Sequence, residues 1–120
     1  MKYMLLIYVD EARMAAVKKE DVTKMMPAYF AYTEAMMKAG ILVAGDQLAP
    51  TSTATTVRSP EGRTKVLNGP YAETKEQLGG YYLIDVPDLD AALSWAGRCP
   101  GSATGVIEVR ALIEMQTPKA

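Results

Sequence analysis

In "VAGDQL" a carboxylate, Asp46, follows a glycine at the end of an apolar run, and it is the first position where this chain could do chemistry. An acid at the mouth of a cleft can serve as a general base, provided that burial lifts its pKa towards neutrality. An aspartate in that position can equally be a turn or bulge residue that bonds its own backbone. The choice matters because the chain contains no histidine. That removes the commonest general base, the commonest metal ligand and the usual pH switch. Arg58 is a second candidate, able to clamp a carboxylate or phosphate with both arms of its guanidinium, or else a solvated arginine on a Thr-rich strand. In "YAETKEQL" (71–78), Glu73, Lys75 and Glu76 are candidate ligand contacts or plain solvent charges. Tyr71, held between Pro70 and Ala72, needs a surface to pack on.

Elements that could position these residues follow from periodicity. "KYMLLIYV" (2–9) is a short apolar run bounded by charge and predicts a strand. Val22, Met25, Tyr29, Tyr32 and Met36 recur at helical spacing, flanked by Met26, Phe30 and Met37. They predict a helix from about Asp21 to Ala39, bent locally at Pro27 and stopped by Gly40. "ILVAGDQL" (41–48) predicts a strand bulged at Gly45. "TATTVRS" and "RTKVLN" flank Ser59-Pro60-Glu61-Gly62 as a hairpin. "GYYLIDV" is the next strand, reached through the turn at Gly69-Pro70 and the close-packing pair Gly79-Gly80. Asp88 caps a helix whose inner face is Leu89, Ala92, Leu93 and Ala96. "TGVIEVRALI" is the last strand, with Ile107, Val109, Ala111 and Ile113 on one face. Glu108 and Arg110 then lie on the other, as an ion pair at a rim or as a charged pair lining a pocket.

This order, β-α-β, a hairpin, then β-α-β, predicts an α+β, ferredoxin-like fold with a mainly antiparallel sheet, one domain over 1–113 and a tail over 114–120. Such a sheet, with helices on one face, ordinarily has a polar second face. Here Met4, Leu6 and Tyr8 oppose Tyr3, Leu5 and Ile7, and Tyr81 and Leu83 oppose Tyr82, Ile84 and Val86, so both faces are apolar. A second copy packed sheet against sheet, in the manner of a dimeric α/β barrel, is the expected cover, with a cleft on that face.

The totals fit. A chain of 120 residues, 49% apolar and 22% charged, has the make-up of one globular domain. A net charge of −1 with no basic stripe argues against nucleic acid. The one cysteine, Cys99, excludes internal disulfides, and Trp95 and Cys99 suit packing. No cofactor or metal is expected, since P-loop, GxGxxG and GxSxG signatures are absent. No stretch has the length of a membrane span, and a cytoplasmic location is expected.

"NGPYAETKEQLGGYYLIDVPDLDAALSWAGRCP", with "KYMLLIY" near the start and "VIEVR" near the end, resembles the YCII-related family, in particular its DGPF-type branch. Asn68 and Tyr71 stand where the branch's name has Asp and Phe. The resemblance implies a dimeric ferredoxin-like protein. It also implies a His–Asp pair in a subunit cleft, of which only Asp46 has a counterpart here, and in some members lyase-like chemistry on ring compounds. DGPF-type proteins are often encoded beside extracytoplasmic-function sigma factors, which implies a regulatory role. Three functions follow. One is a homodimer binding a small molecule through Tyr8, Asp46, Arg58, Tyr71, Glu73, Lys75 and Tyr81. The second is a cofactor-independent lyase or isomerase with Asp46 as base and Arg58 or Lys75 stabilising negative charge. The third is a partner of a sigma factor.

Overall fold

The computed structural model describes residues 1–115, apart from the side chain of Val22. The expected place of Val22 on the helix stripe, and residues 116–120 of the expected tail, lie outside the described residues. Strand β1 (Lys2–Val9) leads into a short helix α1 (Glu11–Ala16) and a long helix α2 (Lys19–Lys38). Then come β2 (Leu42–Gln47), the hairpin strands β3 (Thr55–Arg58) and β4 (Lys65–Asn68), β5 (Gln77–Asp85), helix α3 (Leu89–Arg98) and β6 (Val106–Ala111). The main sheet has the order β2-β5-β1-β6, antiparallel throughout, and β3-β4 form a separate two-stranded sheet. This is the ferredoxin-like α+β arrangement, with an extra hairpin between its second and third core strands.

One face of the sheet makes the core. Tyr3, Leu5 and Ile7 of β1 and Ile84 of β5 are buried beneath Tyr32 and Met36 of α2 and Ala92, Ala96 and Cys99 of α3. The Tyr32 hydroxyl donates to the Trp95 carbonyl at 2.7 Å, tying the two helices, and its ring meets Tyr82 edge-on at 5.5 Å. Burial pushes the Tyr29 phenol up to about 12 and raises Tyr32 as well, so both stay neutral in the folded core.

Three local expectations are corrected, and one helix is added that the sequence pattern did not show. Residues 11–16 form a helix, started by the Asp10 carboxylate accepting from the Arg13 N–H. It buries no residue, so it leaves no apolar period to read. On α3, Leu89 and Leu93 are half exposed, because the small Ala92 and Ala96, with Trp95 and Cys99, form the face that meets the sheet. Ile113 is 88% exposed, since β6 ends at Ala111. The irregularity in β2 lies between Leu42 and Ala44, not at Gly45. Gly45 pairs regularly with Tyr82, and it is glycine for another reason: a Cβ there would lie 2.6 Å from the Tyr82 ring. Helix α2 starts before Pro27 and continues through it.

The opposite face of the sheet carries no helix. The described chain measures 49 × 47 × 19 Å, with a Cα radius of gyration of 16.9 Å. A compact chain of this length would have a radius of about 14 Å. The molecule is therefore a thin plate of a sheet and a helix layer, from which the β3–β4 hairpin projects as an arm.

Gly45→Ala is expected to push the Tyr82 ring out of place and break its hydroxyl contact with Thr33, 2.9 Å in the native chain. The cost should be about 1–3 kcal/mol, the usual range for overpacking, read as a lowered urea midpoint with an unchanged m-value.

Candidate functional site

The register of the sheet sorts the predicted residues into rows on the uncovered face. Asp46 of β2, Tyr81 of β5, Leu6 of β1 and Glu108 of β6 are lateral neighbours in one row. Ala44, Leu83, Met4 and Arg110 make the next. Within the first row the Tyr81 hydroxyl donates to Asp46 Oδ2 at 2.8 Å. That bond, and the carboxylate's charge, hold the Tyr81 phenol above its ordinary value. Glu108 and Arg110 form an exposed ion pair at 4.0 Å on the far edge strand.

Beyond Tyr81 the pairing of β5 with β1 slips. Ile7 opposes Gly80 while Tyr8 opposes Leu78, which leaves Gly79 as an extra residue. The slip brings Leu78 beside Tyr8, and β2 passes so near that a Cβ on Gly80 would sit 3.0 Å from the Asp46 carbonyl oxygen. The Gly79-Gly80 pair thus does what its sequence suggested. It brings backbones together and, as bulges do, redirects a side chain.

At this end of the sheet a cleft of about 730 Å³ opens between the strand ends and the stem of the arm. Its walls are Tyr8 and Leu78 from the sheet, Leu48 to Thr51 and Thr53 to Thr56 after β2, and Pro70, Tyr71, Ala72 and Thr74 before β5. The volume falls within the usual range for small-molecule sites. Among the described residues no Asp, Glu, Lys or Arg lines it; the polar groups are threonine and tyrosine hydroxyls and the amide of Gln77.

A hydrogen-bonded knot holds the walls. The Glu11 carboxylate accepts from the Thr51 N–H (3.0 Å) and the Thr51 hydroxyl (2.7 Å). The Glu11 N–H donates to Gln77 Oε1 at 2.9 Å, and the Gln77 amide donates to the Thr74 carbonyl. One partly buried residue, Glu11, therefore joins helix α1 to the loop after β2 through its carboxylate and to the start of β5 through its N–H. Arg58 lies over the Tyr71 ring, 5.1 Å from its centroid, a cation–π contact at the rim.

The predicted site residues thus fall into separate groups. Tyr8 and Tyr71 line the cleft, and Arg58 stacks outside on Tyr71. Tyr81 and Asp46 pair one row away on the same sheet face, while Glu73 and Lys75 are exposed and outside the lining. Asp46 is exposed on the single chain, so the burial a base would need has to come from something covering this face. Glu11, Thr51 and Gln77 were not singled out from sequence. The run "TSTATT" (51–56) was the available sign of a hydroxyl-lined wall, but Glu11 is linked to it only through space. Among the described residues no three His, Cys, Asp or Glu side chains are placed to hold a metal ion. No described helix is long and apolar enough to cross a membrane.

Comparison with known proteins places the chain by descent and by shape. The model of the YCII-related domain matches residues 1–116. An uncharacterised protein of Rhizobium meliloti (strain 1021) is 42% identical over 114 residues, covering 93% of this chain and 92% of that one. The 5-chloro-2-hydroxyhydroquinone dehydrochlorinase TftG of Burkholderia phenoliruptrix AC1100, solved with 2,5-dihydroxybenzoquinone, superposes with a TM-score of 0.58 over 96% of each chain at 11% identity. At that identity the likeness carries the fold. The chain belongs to the YCII-related family.

Two outcomes follow from this geometry. Tyr81 has a folded pKa raised above the ordinary value of about 10. The contribution of its bond to Asp46 is therefore complete below pH ~10 and lost as the pH rises through the folded value. Asp46→Asn should let Tyr81 ionise at lower pH than in the native protein, seen as an earlier rise in tyrosinate absorbance. Glu11→Ala leaves Thr51 without its charged acceptor and should cost about 1–3 kcal/mol in urea unfolding, with faster amide exchange over residues 48–54.

Proposed function

We propose that this protein is a homodimer that binds a small, uncharged molecule in the cleft between Tyr8 and Tyr71, with the second subunit covering the bare sheet face. The observation that carries this reading is the cleft's lining, with hydroxyls and apolar surface and no charged side chain, opening onto an apolar sheet face without cover. Two aromatic walls favour a flat ligand, and threonine hydroxyls favour one bearing hydroxyl or carbonyl groups. The dehydrochlorinase of the same fold was solved with a molecule of that shape, a flat ring bearing hydroxyl and carbonyl groups.

A second reading is a cofactor-independent lyase or isomerase with Asp46 as base. It is supported by the Asp46–Tyr81 bond, which sets a carboxylate and a phenol side by side on the sheet face that the second subunit would cover. The notion of a regulatory partner, such as a sigma factor, finds support in Met26, Phe30 and Met37. These are exposed at helical spacing along α2, on the layer a sheet-to-sheet dimer leaves open.

Native mass spectrometry of the protein purified without denaturant is the test. A dimer with extra mass is expected, and Tyr8→Ala and Tyr71→Ala should keep the dimer but bind the retained molecule at least tenfold more weakly, about 1.4 kcal/mol each. Retention unchanged in both variants would move the ligand out of this cleft, and a monomer would remove the subunit interface altogether.

A further inference from the structure

We infer that the β3–β4 arm acts in trans, docking on a second copy of this chain and so closing the cleft at its own stem; this rests on the homodimer reading above. The arm consists of two strands of four residues that pair only with each other. At its base the Gly69 N–H donates to the Ala54 carbonyl and the Thr56 hydroxyl to the Gly69 carbonyl, bonds that stay within the arm and its stem. An isolated two-stranded hairpin is marginal in water, yet this one displays Val57 and Val66 as a cross-strand pair, 59% and 61% exposed. Such a pair leaves an apolar patch that would gain stability by leaving water. The opposite face of the arm carries Arg58, which turns back onto Tyr71 at the cleft rim.

Three observations favour a second copy as the occupant. First, the arm and the rest of the chain carry net charge of opposite sign. Arg58, Arg63 and Lys65 against Glu61 give residues 55–68 a net +2, so with a chain total of −1 the remainder carries −3. Second, an arm from each subunit laid on the other adds its apolar area to that of the bare face. Val57 and Val66 would then leave water together with Leu6, Tyr8 and Leu83 of the bare face, whose four strands span roughly 500 Å² in plan. Third, the surfaces are continuous. Tyr8 lies on the bare sheet face and also lines the cleft, whose far wall is the stem of the arm. A partner on the sheet therefore lies next to the stem of the arm through Tyr8, and the cleft is complete only in the pair.

The experiment uses the full chain. Sedimentation velocity over a dilution series is run on the native protein and on Val57→Lys/Val66→Lys, with hydrogen exchange of the arm above and below the dissociation point. Both side chains are exposed in the protomer, so the variant's thermal midpoint, taken at a concentration where both proteins are monomeric, should match. Expected are a dissociation constant raised at least 100-fold in the variant, and native amides of residues 55–74 that slow only in the dimer. Arg58→Glu/Arg63→Glu/Lys65→Glu should weaken the dimer similarly and reverse its salt dependence. A native dimer whose arm exchanges freely, with an unchanged dissociation constant in the lysine variant, would overturn the arm's role and leave the homodimer standing. A native protein monomeric at every concentration would overturn both.

Discussion

One constraint governs this molecule: a sheet apolar on both faces in a chain that covers only one of them. Two helices are enough to bury Tyr3, Leu5, Ile7 and Ile84, and their packing sets the core. Met4, Leu6, Tyr8, Tyr81 and Leu83 on the other face are only partly buried, in a plate 19 Å thick. Hydrophobic free energy scales with apolar area removed from water, so this face is where the protomer still has stabilisation to gain. Cleft, arm and polar pair all border that face.

Fine placement in the cleft depends on backbone irregularity more than on reactive groups. The extra residue at Gly79 brings Leu78 beside Tyr8, and Gly80 admits the β2 backbone. Glu11 fastens the loops on either side through Thr51, while its N–H reaches Gln77. These devices build a neutral enclosure, which suits selection by shape and hydroxyl contacts over charge. The Asp46–Tyr81 pair stands apart from it by one row, a carboxylate with a phenol already bonded to it.

Much of the fold was legible in the residues because it rests on local periodicity. Short apolar runs bounded by charge or glycine marked β1 and β5, the 3.6 period of Tyr29, Tyr32 and Met36 marked α2, and Asp88 marked the start of α3. Periodicity failed where packing overrode it. Leu89 and Leu93 look like an inner face, but alanines allow the helix to approach the sheet more closely than leucines would. Helix α1 buries nothing and so left no pattern. For the site, Tyr8 and Tyr71 were identifiable as aromatics at an element's end or in a turn. Asp46 and Tyr81 were identifiable singly, but not as a bonded pair.

The sequence by itself determined the order of the core strands and of the two packed helices, the doubly apolar sheet and the absence of histidine, since each follows from residue type and short-range spacing. Tertiary structure alone decided that Arg58 meets Tyr71, that Glu11 meets Thr51 across 40 positions, and that Asp46 meets Tyr81 across 35. Those contacts depend on strand register and a one-residue bulge. Neither has a composition signal, because a slip of one residue changes every partner while leaving the sequence unaltered.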